Sequence, residues 1–239
     1  MKKSLFTLAL VAAAFAALAQ QPAAASATSA TIAGTAAAPA DAYTAMVTAA
    51  ITELMNTADP AVLRASAAKM ERAAAAKPQD WLPRYYQAYA LLITVFQSPK
   101  DSDEAKDKTL DQAEAALAQA RKLVGADESE LLVLQAYIYQ ARMGVSPVLR
   151  GMKYAGMVNE TVAQAMQRNP ANPRAYLVQA NNVYFTPAMF GGGPEVAKPL
   201  YQQAQARYAA FKPASSLAPN WGEGQVNGRL KKYETAAVK

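Results

Sequence analysis

Tyr86-Gln87-Ala88-Tyr89, Leu134-Gln135-Ala136-Tyr137 and Val178-Gln179-Ala180-Asn181 decide the fold, because their alanines recur at spacings of 48 and 44 residues. A second alanine precedes each one, Ala73 by 15 residues, Ala120 by 16 and Ala165 by 15. Five residues after each of these comes a breaker, Pro78, Gly125 or Pro170. Small residues on both sides of a turn, held in one register, are what antiparallel helices need where their backbones cross closely, since a larger side chain would hold them apart. The register predicts stacked helix pairs.

The surrounding sequence agrees. Alanine dominates, accompanied by Gln, Leu, Lys, Arg and Glu, all strong helix formers, and β-branched runs with period-two alternation are missing. Caps and breakers predict helices over about 41–56, 59–76, 81–97, 101–124, 127–143, 146–168, 174–184 and 194–211, with a short terminal one near 225–233. Asn169-Pro170-Ala171-Asn172-Pro173 is the tightest turn signal in the chain. The expected fold class is all-α, an α-α superhelix of antiparallel pairs with about 8–9 helices, occupying residues 41–239.

The N-terminus reads differently. Lys2 and Lys3 precede an apolar stretch over residues 5–19 that ends in Ala17-Leu18-Ala19, the order of a secretory signal cleaved near Ala19-Gln20. The stretch is short and Ala-rich for a transmembrane anchor, which needs about 18 to 20 strongly apolar residues. Residues 20–40 are almost wholly Ala, Pro, Ser, Thr, Gln and Gly, a composition expected to form a disordered tether. The mature protein is expected to be periplasmic or secreted, without a membrane span.

Composition excludes much chemistry. Removing Lys2 and Lys3 lowers the formal charge from +6 to +4, and the remaining basic residues are scattered, so nucleic acid is not an expected partner. The sequence contains no Cys and no His. The usual zinc, copper and haem ligands, Ser-His and Cys-His nucleophilic sites and thiol redox chemistry are therefore missing, and neither a cofactor nor catalysis is expected. The carboxylate pairs Glu128/Glu130 and Asp101/Asp103 stand two apart at helix starts, where capping explains them.

The candidate functional residues belong to an aromatic and amide groove. Tyr89, Asn181, Asn182 and Tyr184 would offer contact area and amides to an extended peptide, and Arg142, Lys153 and Arg174 would favour an acidic segment or a terminal carboxylate. Helical spacing of tyrosines also fits a core, and scattered cations also fit a solvated face. Gly191-Gly192-Gly193 before Pro194 could present N–H groups to an anion, but it lacks the lysine and hydroxyl of a phosphate loop and reads better as an elbow between helices. The leading expectation is a non-catalytic envelope protein that binds a peptide or protein partner. The alternative is a periplasmic small-molecule-binding accessory of solute uptake, which predicts a largely apolar pocket. A carboxylate hydrolase would need two facing acids in a cleft.

The alanine register, the aromatic residues of each pair and the closing proline resemble the tetratricopeptide repeat, most closely at Asn169-Pro170, Arg174-Ala175-Tyr176, Gln179-Ala180 and Val183-Tyr184. The 44–48-residue spacing exceeds the roughly 34 residues of that repeat. Trp81-Leu82-Pro83-Arg84-Tyr85-Tyr86, Arg150-Gly151-Met152-Lys153-Tyr154, Asn172-Pro173-Arg174-Ala175, Phe190-Gly191-Gly192-Gly193 and Pro219-Asn220-Trp221-Gly222 are similar to uncharacterised exported tetratricopeptide-like proteins of Bacteroidota. That resemblance implies a helical fold and an envelope address, but no reaction.

Overall fold

A computed structural model describes residues 42–237, so the expected signal, its cleavage point and the linker lie outside the described residues. The described chain forms α1 (Ala42–Met55), α2 (Pro60–Ala76), α3 (Trp81–Gln97), α4 (Asp103–Arg121), α5 (Glu128–Val145), α6 (Pro147–Arg168), α7 (Pro173–Phe185), a 3-10 turn (Ala188–Phe190), α8 (Pro194–Ala210) and α9 (Glu223–Ala237). No strand occurs among the described residues. The fold is all-α.

Local chemistry sets the helix starts. The side chains of Asp59, Asp80, Ser102, Asp127 and Asn172 each accept a backbone N–H of the first turn that would otherwise lack a partner. Proline opens α2, α6, α7 and α8, where no backbone donor is required. Gly125 closes the turn after α4 at φ +79°, a conformation costly for any residue with a Cβ. The helix α4 stops at Arg121, short of the expected residue 124. The terminal helix is longer than its weak sequence signal implied, running from Glu223 to Ala237.

The alanine register sits where close crossings require it: Ala73, Ala88, Ala120, Ala136, Ala165 and Ala180 are all buried in the one core. The odd-numbered helices lie side by side, α1 by α3, α3 by α5 and α5 by α7, and the even-numbered helices pack between them on the outside. Each of α3, α5 and α7 therefore has an inner face toward its odd neighbours and an outer face toward a groove between two even helices.

The chain after α8 returns to the inner layer. Tyr86 donates to the carbonyl of Leu217 at 3.0 Å. Trp221, 3% exposed, stacks between Tyr89 at 4.9 Å and Tyr137 at 5.5 Å, and its Nε1 donates to the Tyr85 hydroxyl at 2.8 Å. The Tyr85 hydroxyl in turn lies 3.3 Å from Glu130 Oε2. Glu130 takes a forked pair from Arg174, including a 2.8 Å bond from Nε, and a 2.9 Å bond from Asn172 Nδ2. Arg174 lies 4.5 Å over the Phe211 ring, so one ion pair joins α5, α7 and the returning segment. Burial pushes the Glu130 carboxyl up, and the Arg174 guanidinium pulls it back.

Candidate functional site

The seven residues singled out in the sequence fall into separate environments. Tyr89 lies in the core against Trp221, and Arg174, 1% exposed, is committed to Glu130. The arginine expected from α5 to meet an acidic partner is also taken up within the fold. Arg142 is buried, donating to Asp107 Oδ1 and Glu114 Oε2, both at 2.9 Å, and also to Asp111. Arg150 grips both oxygens of the same Asp107 at 2.7 Å. Carboxylates on α4, which sequence spacing could not align with these arginines, absorb the charge. They hold α4, α5 and α6 together, and the Arg150 hydrogen bonds, seconded by Arg142, keep the Asp107 carboxyl below its usual range.

The other four lie around the end of α7. Asn182 is buried, and its Nδ2 donates to Asn159 Oδ1 at 2.8 Å and to the Ala155 carbonyl at 3.4 Å. Lys153 is exposed on α6 beside Tyr154. Asn181 accepts the Tyr201 hydroxyl at 2.6 Å. Tyr184 is half-buried beneath Arg229 of α9, whose guanidinium lies 4.0 Å from its ring centre, 5.7 Å from Phe185 and 5.9 Å from Tyr201.

This group is an aromatic shelf with a cation in it. The last turns of two odd helices supply its open rings: Phe96 of α3, packed at 5.1 Å on the buried Tyr137 of α5, and Tyr184 with Phe185 of α7 at 5.0 Å. Phe96 is 41% exposed and Phe185 64%, although each is an apolar ring that burial would stabilise by roughly 2 kcal/mol or more. Burial, countered by the Gln225 hydrogen bond and then by Arg229, pushes the Tyr137 hydroxyl up to about 12, so it stays a neutral donor. Among the described residues Arg229 has no carboxylate partner. Its face is held by rings and it reaches the Tyr201 hydroxyl, which leaves its remaining in-plane N–H groups to bind an anion.

The apolar character extends outward from the shelf. Because α6 and α7 run antiparallel and Asn182 meets Ala155, Phe185 is about level with Met152, each three residues beyond that contact. Met152, Met189 and Phe190 are all exposed there. The glycines just beyond shape the connector. Gly191 and Gly193 adopt φ +78° and +110°, and a Cβ at Gly192 would collide with Thr186.

A second apolar recess, of about 490 Å³, lies between α1 and α2 and is lined by Met46, Val47, Ala50, Met70 and Ala73. Of its two cations, Lys69 is ion-paired to Glu53 on the same rim. Among the described residues no helix is long and apolar enough to cross a membrane, and no three metal-binding side chains converge.

Sequence reasoning missed Phe96, Phe185 and Arg229. The usable signal was positional: Tyr184-Phe185 closes a helix directly before Thr186-Pro187, and Phe96 closes one before Ser98-Pro99, so both rings fall where a helix runs out of neighbours.

Among solved structures, the HusA haemophore from Porphyromonas gingivalis is similar to this chain, with a TM-score of 0.72 and 33% identity over 82% of this chain and 94% of that one. No protein-family model and no curated protein matches the sequence.

Proposed function

We propose, since this chain belongs to the family of the HusA haemophore, that it is a non-catalytic envelope protein binding a haem-type tetrapyrrole as cargo on the aromatic shelf. The cargo is flat, apolar on both faces and edged with carboxylates. The shelf offers matching chemistry: exposed rings at Phe96 and Phe185 for a face, Arg229 for a carboxylate, and Lys153 as an exposed cation nearby. The observation that carries the reading is Arg229, a guanidinium seated on three rings at an open apolar edge and paired with no acid among the described residues.

The absence of His and Cys restricts how such cargo is held. It removes the two commonest protein ligands to haem iron and leaves ring contact and carboxylate pairing to supply the affinity. A chain without these iron ligands is thus compatible with haem as a passenger. The peptide groove first expected on the inner face is disfavoured by Trp221, which occupies the aromatic centre of that face. Small-molecule uptake, the alternative drawn from the sequence, becomes the preferred role, and the secretory signal read at residues 1–19 supports an exported location.

Haemin titration followed in the Soret band tests the proposal. Phe185→Ser and Arg229→Gln are each expected to weaken binding at least tenfold, about 1.4 kcal/mol, with thermal unfolding unchanged. Met46→Ser, in the α1–α2 recess, should leave binding intact. Loss of binding on Met46→Ser with none on Phe185→Ser would move the cargo to that recess.

A further inference from the structure

The shared register gives the three odd helices α3, α5 and α7 equivalent outer faces, and the three grooves above them differ. Counting from Ala88, Ala136 and Ala180, the positions four before, one before and three after are Arg84, Gln87 and Leu91 on α3, Leu132, Gln135 and Tyr139 on α5, and Tyr176, Gln179 and Val183 on α7. Over α5 the groove is closed: Gln135 donates to Glu114 at 3.3 Å, Glu114 also holds Arg142, and Tyr139 packs 5.9 Å from Tyr154 of α6. Over α7 the Tyr176 ring fills the equivalent space, its hydroxyl donating to the Pro170 carbonyl at 3.0 Å and its face covered by Arg207 of α8 at 4.8 Å. Over α3 the space is a cavity of about 430 Å³.

The walls of that cavity match one another. On α2 they are Arg64, Ala67, Ala68 and Glu71, and on α4 Gln112, Ala115, Ala116 and Gln119, a polar-small-small-polar order at i, i+3, i+4 and i+7 on both sides. On the floor, Arg84 Nη1 donates to Gln87 Oε1 at 2.8 Å beside Leu91. Four alanines keep the middle wide, while amides and charges stand at the ends. Seven helical residues span about 10.5 Å, roughly the length of three extended peptide residues. An amide side chain offers one acceptor and a donor pair, which is what a peptide main chain can answer on both edges.

We infer that this outer groove between α2 and α4 binds a short extended peptide of small side chains, with a carboxylate of that peptide held by Arg84 and Arg64. Alanine walls admit a main chain and methyl-sized side chains but offer no pocket to a large one. The two guanidiniums supply the preference for a carboxylate, Arg84 from the floor and Arg64 from the rim, where its present partner is the exposed Asp101 at 3.1 Å. This site shares no residue with the shelf and does not depend on what binds there.

Fluorescence anisotropy with dye-labelled alanine-serine pentapeptides, one ending in a free carboxylate and one in an amide, tests the inference on the mature chain. The free-carboxylate peptide should bind saturably, and the amide at least tenfold more weakly. Ala115→Leu projects into open groove space rather than core, so it should keep the melting temperature and weaken the free-carboxylate peptide at least tenfold. Arg84→Met should abolish the difference between the two peptides, and Phe185→Ser should change neither. Absence of saturable binding to the wild type, equal binding of the two peptides, or undiminished binding to Ala115→Leu would overturn the inference. A failure of haemin binding with intact peptide binding would count against the shelf alone.

Discussion

The middle and the end of the inner face are built from the same kinds of residue yet have opposite fates. In the middle, Tyr85, Tyr86, Tyr89 and Tyr137 meet Trp221 and the carbonyl of Leu217, and every ring is covered. At the end, Tyr184 and Phe185 meet one arginine, Phe96 leans only on Tyr137, and the rings stay partly open. The difference is length of chain: the segment after α8 returns across the middle, and α9 then carries Arg229 to the edge of the open part. Aromatic residues on an inner face therefore mark a ligand site only where the chain has not supplied its own occupant.

The largest expected effect tests the covered half. Trp221→Ala removes the indole stacked on two tyrosine rings and its hydrogen bond to Tyr85, and should cost about 3–5 kcal/mol in urea unfolding. A cost below about 1 kcal/mol would show the returning segment to be a loose cover. Next comes the open half. Because no His or Cys is present to bind iron, metal-free protoporphyrin should bind within about threefold of haemin, compared by tryptophan quenching. A hundredfold preference for haemin would mean that a Met or Tyr ligates iron, and would contradict seating by ring contact.

The smallest effect concerns the support beneath the open end, where Asp107 holds Arg142 and Arg150. Its carboxyl is held below the ordinary value of 3.8, so its contribution is present above that value and is lost as pH falls through the lower folded-state value. The pair is partly exposed, and the loss should be about 1 kcal/mol or less. Asp107→Asn should flatten that part of the stability profile in acid denaturation.

The helices were legible in the sequence because their signals are local. Asp59 before Pro60, Asn172 before Pro173 and the six register alanines each act within a few residues or one turn, and the structure places them as the pattern requires. The site was less legible because its determinants are distant. Nothing near Arg174 announces Glu130, 44 residues earlier, and nothing near Trp221 announces Tyr85, 136 residues away. Arg142 and Arg174 looked like ligand-binding cations for the same reason: their acids lie on other helices. Arg229 sits on a terminal helix with few sequence cues, so its place among three rings became visible only with the fold.

The most direct measurement is chemical-shift mapping with a diamagnetic gallium protoporphyrin on the isotopically labelled mature chain. Perturbations should centre on Phe96, Tyr184, Phe185 and Arg229, and spare Tyr89, Trp221 and the α1–α2 recess. A footprint centred on Tyr89 and Trp221, or on Met46 and Met70, would contradict the account.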